Sequence, residues 1–293
     1  ALGPLCGVDD PDAVLTASRL CDELGLDTIS AGGTIAFALE CAERGMLESF
    51  GSEADIRFGN GAAIIELLDD IAHRRTPLGD LLANGSRYAA EAIGGDAADF
   101  AAHVKGLELP GYEPRSLQSM ALGLAVNARG ADHNRSGAYK IDFSGEVDRF
   151  APDDRVAHLI VETENRAALI DSLILCKFLR GVFGETEGGI YAAAAEMLTA
   201  ITGWVVDQAE TKQVAKRVCV TKKLFNLREG WTQTEDKLPS RFTKQPLKSG
   251  GAKGAIVQTL RLDELIKMYY SARGWETDGT VPEDQLQALS LDL

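Results

Sequence analysis

Glycines that interrupt runs of helical periodicity constrain this chain more than any other feature. Val14, Leu15, Leu20, Cys21 and Leu24 recur on one helix face, and Gly25 stands where that helix should stop. Asp9 or Asp10 can cap its start, Pro11 suits the first helical position, and Asp12 favours the positive end of the dipole. The same pattern predicts helices over about residues 34–44, 61–74, 77–82, 86–93 and 96–104. Further helices are expected over about 116–128, 167–178, 190–201, 208–228, 260–273 and 282–289. Residues 157–162 suit a short strand or a helix. Residues 230–254 read as a long, lysine-rich loop, whose length suggests function or attachment to another element.

The expected fold is therefore all-α and multihelical. A chain of 293 residues is long enough for two cores. The stretch 106–114 holds Gly106, Pro110, Gly111 and Pro114, and it marks the best boundary, giving helical domains 1–105 and 106–293. A net charge of −14 argues against a nucleic-acid surface, and no apolar run is long enough to span a bilayer. Five scattered cysteines, an odd number without a Cys-x-x-Cys pair, read as reduced thiols of a cytoplasmic protein. The start at Ala1, without methionine, looks like an internal position of a longer protein.

Two helix ends carry chemistry. The first reads Asp22-Glu23-Leu24-Gly25-Leu26-Asp27-Thr28 and the second Asp171-Ser172-Leu173-Ile174-Leu175-Cys176. A helix that stops at such a turn exposes backbone groups, and aspartates on either side can point at one ligand edge. Ionised carboxylates only accept hydrogen bonds, so they match an amino group beside a ring N–H, as on guanine or a pterin. A pair of solvated acids at a helix end is the plain alternative. Acids are nevertheless unfavourable near the negative end of a helix dipole, and accepting that penalty twice argues for a purpose. Cys176, between Leu175 and Phe178, reads by position alone as a small buried hydrophobe, and Cys6, Cys21, Cys41 and Cys219 read as structural. His133 lies in a polar stretch with Arg129, Asp132 and Arg135; it suits proton transfer or an ordinary pairing with Asp132.

These residues resemble a known family, the tungsten-containing aldehyde ferredoxin oxidoreductases. The resemblance is carried in order by Gly25–Ser30, His103–Pro110, Arg129–His133, Asp171–Phe178, Phe225–Gly230, Leu238–Arg241 and Tyr269–Trp275. It implies the two helical C-terminal domains of such an enzyme, without the N-terminal domain. It further implies a tungsten bis-pterin centre, with molybdenum as the alternative metal, beside a [4Fe–4S] cluster. By resemblance Asp22 and Asp27 hold one pterin in a site shaped by Gly25, Leu26 and Thr28. Asp171 and Leu175 hold the other, Cys176 is a cluster ligand, and His133 is the active-site histidine. The implied partners are an aldehyde, ferredoxin or a similar acceptor, and the N-terminal domain, with neither nucleic acid nor membrane; a homo-oligomer is compatible. A reductase of carboxylic or aromatic acids on the same cofactor, or a helical scaffold without cofactor, are the alternatives. Two departures stand out. Ile174 replaces the glycine expected in the second motif, and the other cluster thiolates, from a Cys-x-x-Cys-x-x-x-Cys stretch, do not occur here. The acidic partner of the histidine is expected just before Ala1.

Overall fold

Asp10 caps the first helix with its own carboxylate, which accepts from the Asp12 amide, and Gly25 closes it in the left-handed conformation. This start and stop follow the sequence pattern, and most of the chain does the same. The computed structural model describes all residues except 51–54, 183–187 and 292–293. In chain order the helices are α1 (Pro11–Leu24), α2 (Thr28–Glu43), α3 (Gly61–His73), α4 (Pro77–Leu82), α5 (Gly85–Ile93) and α6 (Ala97–Phe100). They continue with α7 (Gln118–Val126), α8 (His133–Ser136), α9 (Tyr139–Ser144), α10 (Arg155–Ser172) and α11 (Gly189–Thr202). The last four are α12 (Gln208–Arg228), α13 (Ser240–Lys244), α14 (Thr259–Arg273) and α15 (Glu283–Ala288). The fold is all-α. Among the described residues the one sheet is a hairpin of two-residue strands, β1 (His103–Val104) and β2 (Leu107–Glu108). Lys105 and Gly106 both take positive φ, as the tight two-residue turn requires.

Several expectations need correction, among them the helix expected over 167–178, which begins at Arg155 and ends at Ser172, and the one expected over 96–104, which ends at Phe100 before β1. Helix α2 starts at Thr28 rather than near residue 34, because Asp27 caps it by accepting from the Ser30 amide at 2.7 Å. Of the strand and helix weighed for 157–162, the helix is found: the stretch lies inside α10, whose buried face includes Val156, Ala157 and Ile160. The loop expected over 230–254 contains α13, whose Phe242 is buried.

Contacts divide the chain into two compact units that are not contiguous in sequence. The first comprises residues 1–116, 129–132 and 237–257; the second comprises 117–128, 133–236 and 258–293. Residues 106–116, placed by their prolines and glycines at the start of the second domain, thus cluster with the first unit. The hairpin explains part of this. Glu108 is buried and accepts from the Ser86 amide and hydroxyl, both at 2.8 Å, and a Cβ at Gly33 would meet Glu108 Cβ at 2.8 Å.

The core of the first unit is formed by α1 to α6, with Ile35, Leu39, Ile64, Leu67, Leu68 and Leu82 essentially inaccessible. Burying a side chain of this size contributes about 1.5–3 kcal/mol. Arg241 reaches from α13 to Glu40 on α2, which also accepts from Arg44 at 2.7 Å. Burial pushes the Glu40 carboxyl up, but the two guanidiniums outweigh it and hold it below the usual carboxylate range. In the second unit α10 packs against α12 and α14. A buried network joins α10 to α14, in which Arg273 donates to Glu164, to Asn165 Oδ1 at 2.7 Å and to the Tyr269 hydroxyl at 3.0 Å.

Candidate cofactor site

The two motif turns share one construction. In the first, the Gly25 amide donates to the Asp22 carbonyl at 3.4 Å and the Leu26 amide to the Cys21 carbonyl at 2.8 Å. In the second, the Ile174 amide donates to the Asp171 carbonyl at 3.1 Å and the Leu175 amide to the Ile170 carbonyl at 3.0 Å. This is the reciprocal pair of bonds that satisfies the last carbonyls of a helix. Gly25 has φ 72° and Ile174 has φ 56°, so the turn survives the loss of the expected glycine.

In the first turn Asp22 and Asp27 are both exposed, as is Gly25, and nothing lies within 4 Å of where a Gly25 Cβ would stand. Leu26 is half-buried against the core of its unit, which anchors the turn from beneath. Thr28, also half-buried, is the first residue of α2. Asp27 sits at the positive end of α2, where a carboxylate is favoured, so only Asp22 bears the penalty of a helix C-terminus.

In the second turn the penalty is offset by cations. Asp171 Oδ2 pairs with Arg135 of α8, and Asp171 Oδ1 lies 3.2 Å from Lys177 Nζ. Lys177 also donates to the Asn134 carbonyl at 2.9 Å. These bonds tie α8 to the second motif. His133, the first residue of α8, is half-buried, with its ring 6.3 Å from that of Tyr139. His133, Asp171 and Cys176 are therefore assembled in one unit. Asp132, the alternative partner weighed for His133, accepts from Arg129 at 2.6 Å.

Cys176 is exposed, which corrects the positional reading of a buried hydrophobe. Leu175 instead takes the inward place, half-buried against the cluster around Leu169, Ile170, Tyr191 and Ala194. Cys6, Cys21 and Cys41 are buried and Cys219 is half-buried. Burial pushes the Cys6 thiol up to about 11 and the Cys41 thiol up to about 12, so neither serves as a ready thiolate. Sequence reasoning missed Arg135 and Lys177 as partners of Asp171. Arg135 lies 36 positions from Asp171, so no local pattern pairs them.

A pterin and a cluster can be tested against this donor set. Exposed carboxylates beside open turns suit the amino edge of a pterin, and the exposed thiol of Cys176 suits iron. Among the described residues no group of three or more His, Cys, Asp or Glu converges to hold a metal ion. Cys176 is the one exposed thiol among the described cysteines, where a [4Fe–4S] cluster normally takes four thiolates. The residues fit as a part of the site.

The helical scaffold that carries these two turns has a family of its own. The family model for aldehyde ferredoxin oxidoreductase, domains 2 and 3, matches residues 1–291, and the chain belongs to this family. It is 35% identical to the tungsten-containing aldehyde ferredoxin oxidoreductase of Pyrococcus furiosus over 99% of this chain and 47% of that protein. The Thermococcus kodakarensis enzyme of the same name gives the same identity and coverage. An aliphatic sulfonate oxidoreductase, WOR-like subunit, from Pyrococcus furiosus is 27% identical over 99% of this chain and 44% of that protein. Among solved structures, the active site complex BamBC of benzoyl coenzyme A reductase, in complex with 1,5 dienoyl-CoA, aligns with a TM-score of 0.72 at 21% identity. That alignment covers 96% of this chain and 46% of the other, and shows the shared fold. The chain spans about half the length of the curated relatives it matches.

Proposed function

We propose that this chain is the helical, cofactor-holding part of an enzyme that converts an aldehyde and water to a carboxylic acid, two protons and two electrons, the electrons passing to ferredoxin. The observation that supports it best is the pair of bonds that ties α8, which begins at His133, to the motif that carries Asp171 and Cys176. A bound tungsten bis-pterin and [4Fe–4S] cluster would supply the electron-accepting chemistry.

The chain's own residues then have distinct tasks. Asp22 and Asp27 accept hydrogen bonds from the amino edge of one pterin, and the turn at Gly25 lets the ring approach closely. Leu26 and Thr28 fix the floor and the far side of that turn. Asp171 does the same for the second pterin while Arg135 and Lys177 hold its carboxylate in place. Cys176 contributes a thiolate. His133 carries a proton on an imidazole nitrogen, donating to the substrate oxygen or receiving the proton that the reaction releases.

A second reading keeps the centre and changes the substrate. The similarity to the aliphatic sulfonate oxidoreductase subunit favours it. The test is to purify, without oxygen, the polypeptide that carries this chain and to measure tungsten, molybdenum and iron. Aldehyde-dependent reduction of a viologen dye is then followed. Tungsten with iron and dye reduction supports the first reading, metals without aldehyde turnover supports the second, and a protein free of all three metals sinks both.

A further inference from the structure

The first unit contains a cavity of about 240 Å³, and every residue that lines it belongs to that unit. Its wall is mostly apolar. Phe37, Phe58, Phe100 and Phe242 supply four aromatic rings, and Leu5 and Leu109 add aliphatic surface. The Phe37 and Phe100 rings pack with centroids 5.4 Å apart, and the Arg44 guanidinium lies 4.0 Å from the centroid of Phe100. This part of the wall is therefore held in place by the fold itself. The volume falls below the roughly 300–1,000 Å³ of pockets for drug-sized ligands, so it suits a molecule of one ring.

Three charged side chains interrupt that wall: Glu40, Glu113 and Arg241. Glu113 is fully engaged, since Arg115 donates to its Oε1 at 2.7 Å and to its Oε2 at 2.8 Å. Glu40 is engaged on one side only. Its Oε1 accepts from Arg44 Nε at 3.1 Å, from Arg44 Nη2 at 2.7 Å and from Arg241 Nη2, while its Oε2 has no donor among the described residues. Arg241 Nε is buried and has no hydrogen-bond partner, which is unfavourable for any donor and rare in folded proteins. The charges themselves balance. Glu40 and Asp96 face Arg44 and Arg241, and Glu113 faces Arg115. A charged ligand would thus bring an uncompensated charge into a mostly apolar cavity. A neutral group with an acceptor beside a donor matches what the wall leaves unused.

We propose that this cavity binds an uncharged aromatic molecule of one ring that carries a carboxamide. The ring packs against the phenylalanines, the amide oxygen accepts from Arg241, and the amide N–H donates to Glu40. Glu40 and Arg241 hold the polar edge of the ligand while they remain paired with each other. The site needs neither metal nor pterin, so it stands apart from the cofactor reading above and is tested without it.

The test is isothermal titration calorimetry on the polypeptide that carries this chain, with benzamide as the probe. Benzamide should give a saturable heat. Benzoate, which brings a charge and no donor, and toluene, which has neither polar group, should each bind about tenfold more weakly or worse. Ala102 and Ala36 line the cavity and are half-buried, so Ala102→Leu and Ala36→Leu should fill it and abolish binding. Glu40→Gln leaves the two guanidiniums with one carboxylate fewer and should tilt the preference from benzamide towards benzoate. A parent without saturable benzamide binding overturns the proposal, and so does equal affinity for toluene, which would mark an unselective apolar hole. Unchanged affinity in a leucine variant that melts cooperatively places the binding elsewhere and overturns it as well. If neither leucine variant folds, Glu40→Gln decides: an unaltered ratio of benzamide to benzoate affinity removes Glu40 from the site and the proposal with it.

Discussion

Gly25 and Ile174 hold the same backbone conformation, φ 72° and 56°, and each donates its amide to the carbonyl of the aspartate three residues before it. One position suits glycine by its nature; the other imposes the same geometry on a branched side chain.

Stability should therefore respond to the two positions in opposite directions. Ile174→Gly removes a left-handed penalty of about 1–2 kcal/mol and gives back about 0.5–1 kcal/mol in backbone entropy. A net gain of about 0.5–1 kcal/mol is expected. Gly25→Ala should instead lose about 1 kcal/mol. Urea midpoints of the two variants check this, and a shift of the same sign in both contradicts the shared geometry.

Asp27 combines two roles that substitution can separate. Asp27→Ala removes the cap of α2 and should cost about 1 kcal/mol. Asp27→Asn keeps a good cap and removes the charge. If the carboxylate also holds a pterin, the asparagine variant should melt with the parent yet retain less pterin, measured by fluorescence of the oxidised, released cofactor. Equal pterin content in Asp27→Asn and the parent removes that role from Asp27.

Thiol chemistry should single out Cys176. In the unfilled protein at pH 8, iodoacetamide followed by peptide mass spectrometry should label Cys176 well before Cys6 or Cys41, which are buried with raised pKa values. Those two thiols also make stability depend on pH. Each titrates near 9 when freely exposed and higher when folded, so their contribution is complete below about pH 9. It is lost as pH rises towards about 11 for Cys6 and about 12 for Cys41. Denaturation midpoints measured from pH 8 to 11 should fall, and replacing both residues by alanine should flatten the slope.

The network around Glu164 should be the most costly polar feature of the second unit to break. Glu164→Ala leaves the buried Arg273 guanidinium without its carboxylate and should destabilise by about 3–5 kcal/mol. Replacing Glu164 and Arg273 together with apolar residues of similar volume should cost much less. A thermodynamic cycle over the two sites measures the difference, and additive losses would contradict a coupled buried pair.

The helices were legible where an apolar stripe met a cap or a glycine stop, as in α1, α4 and α12. The start of α2 was hidden, and Gly32 and Gly33 lie within its first turns. They are helical residues kept small by close approach: a Cβ on Gly32 would meet Ala1 Cβ at 2.6 Å, and one on Gly33 would meet Glu108. The motif residues were visible as a repeated string. Their pairing with cations was not, since Arg135 and Asp171 are 36 positions apart and no local pattern joins them. The assignment of 237–257 to the first unit was hidden for the same reason. Phe242 and Arg241 look like loop residues until their partners across the chain are known.

The interleaving of the two units bears on how this protein is made. The first unit is complete only when residue 257 has been synthesised, by which point residues 117–128 and 133–236 of the second have already been made. Gly130 shows how tight one returning strap is: at φ 94°, a Cβ there would stand 2.2 Å from the Val104 carbonyl oxygen. A ribosome that delivers the N-terminal half first cannot release a finished first unit and then begin the second. Completion of the first unit waits on residue 257, so a chain stopped between residues 133 and 257 leaves both units incomplete.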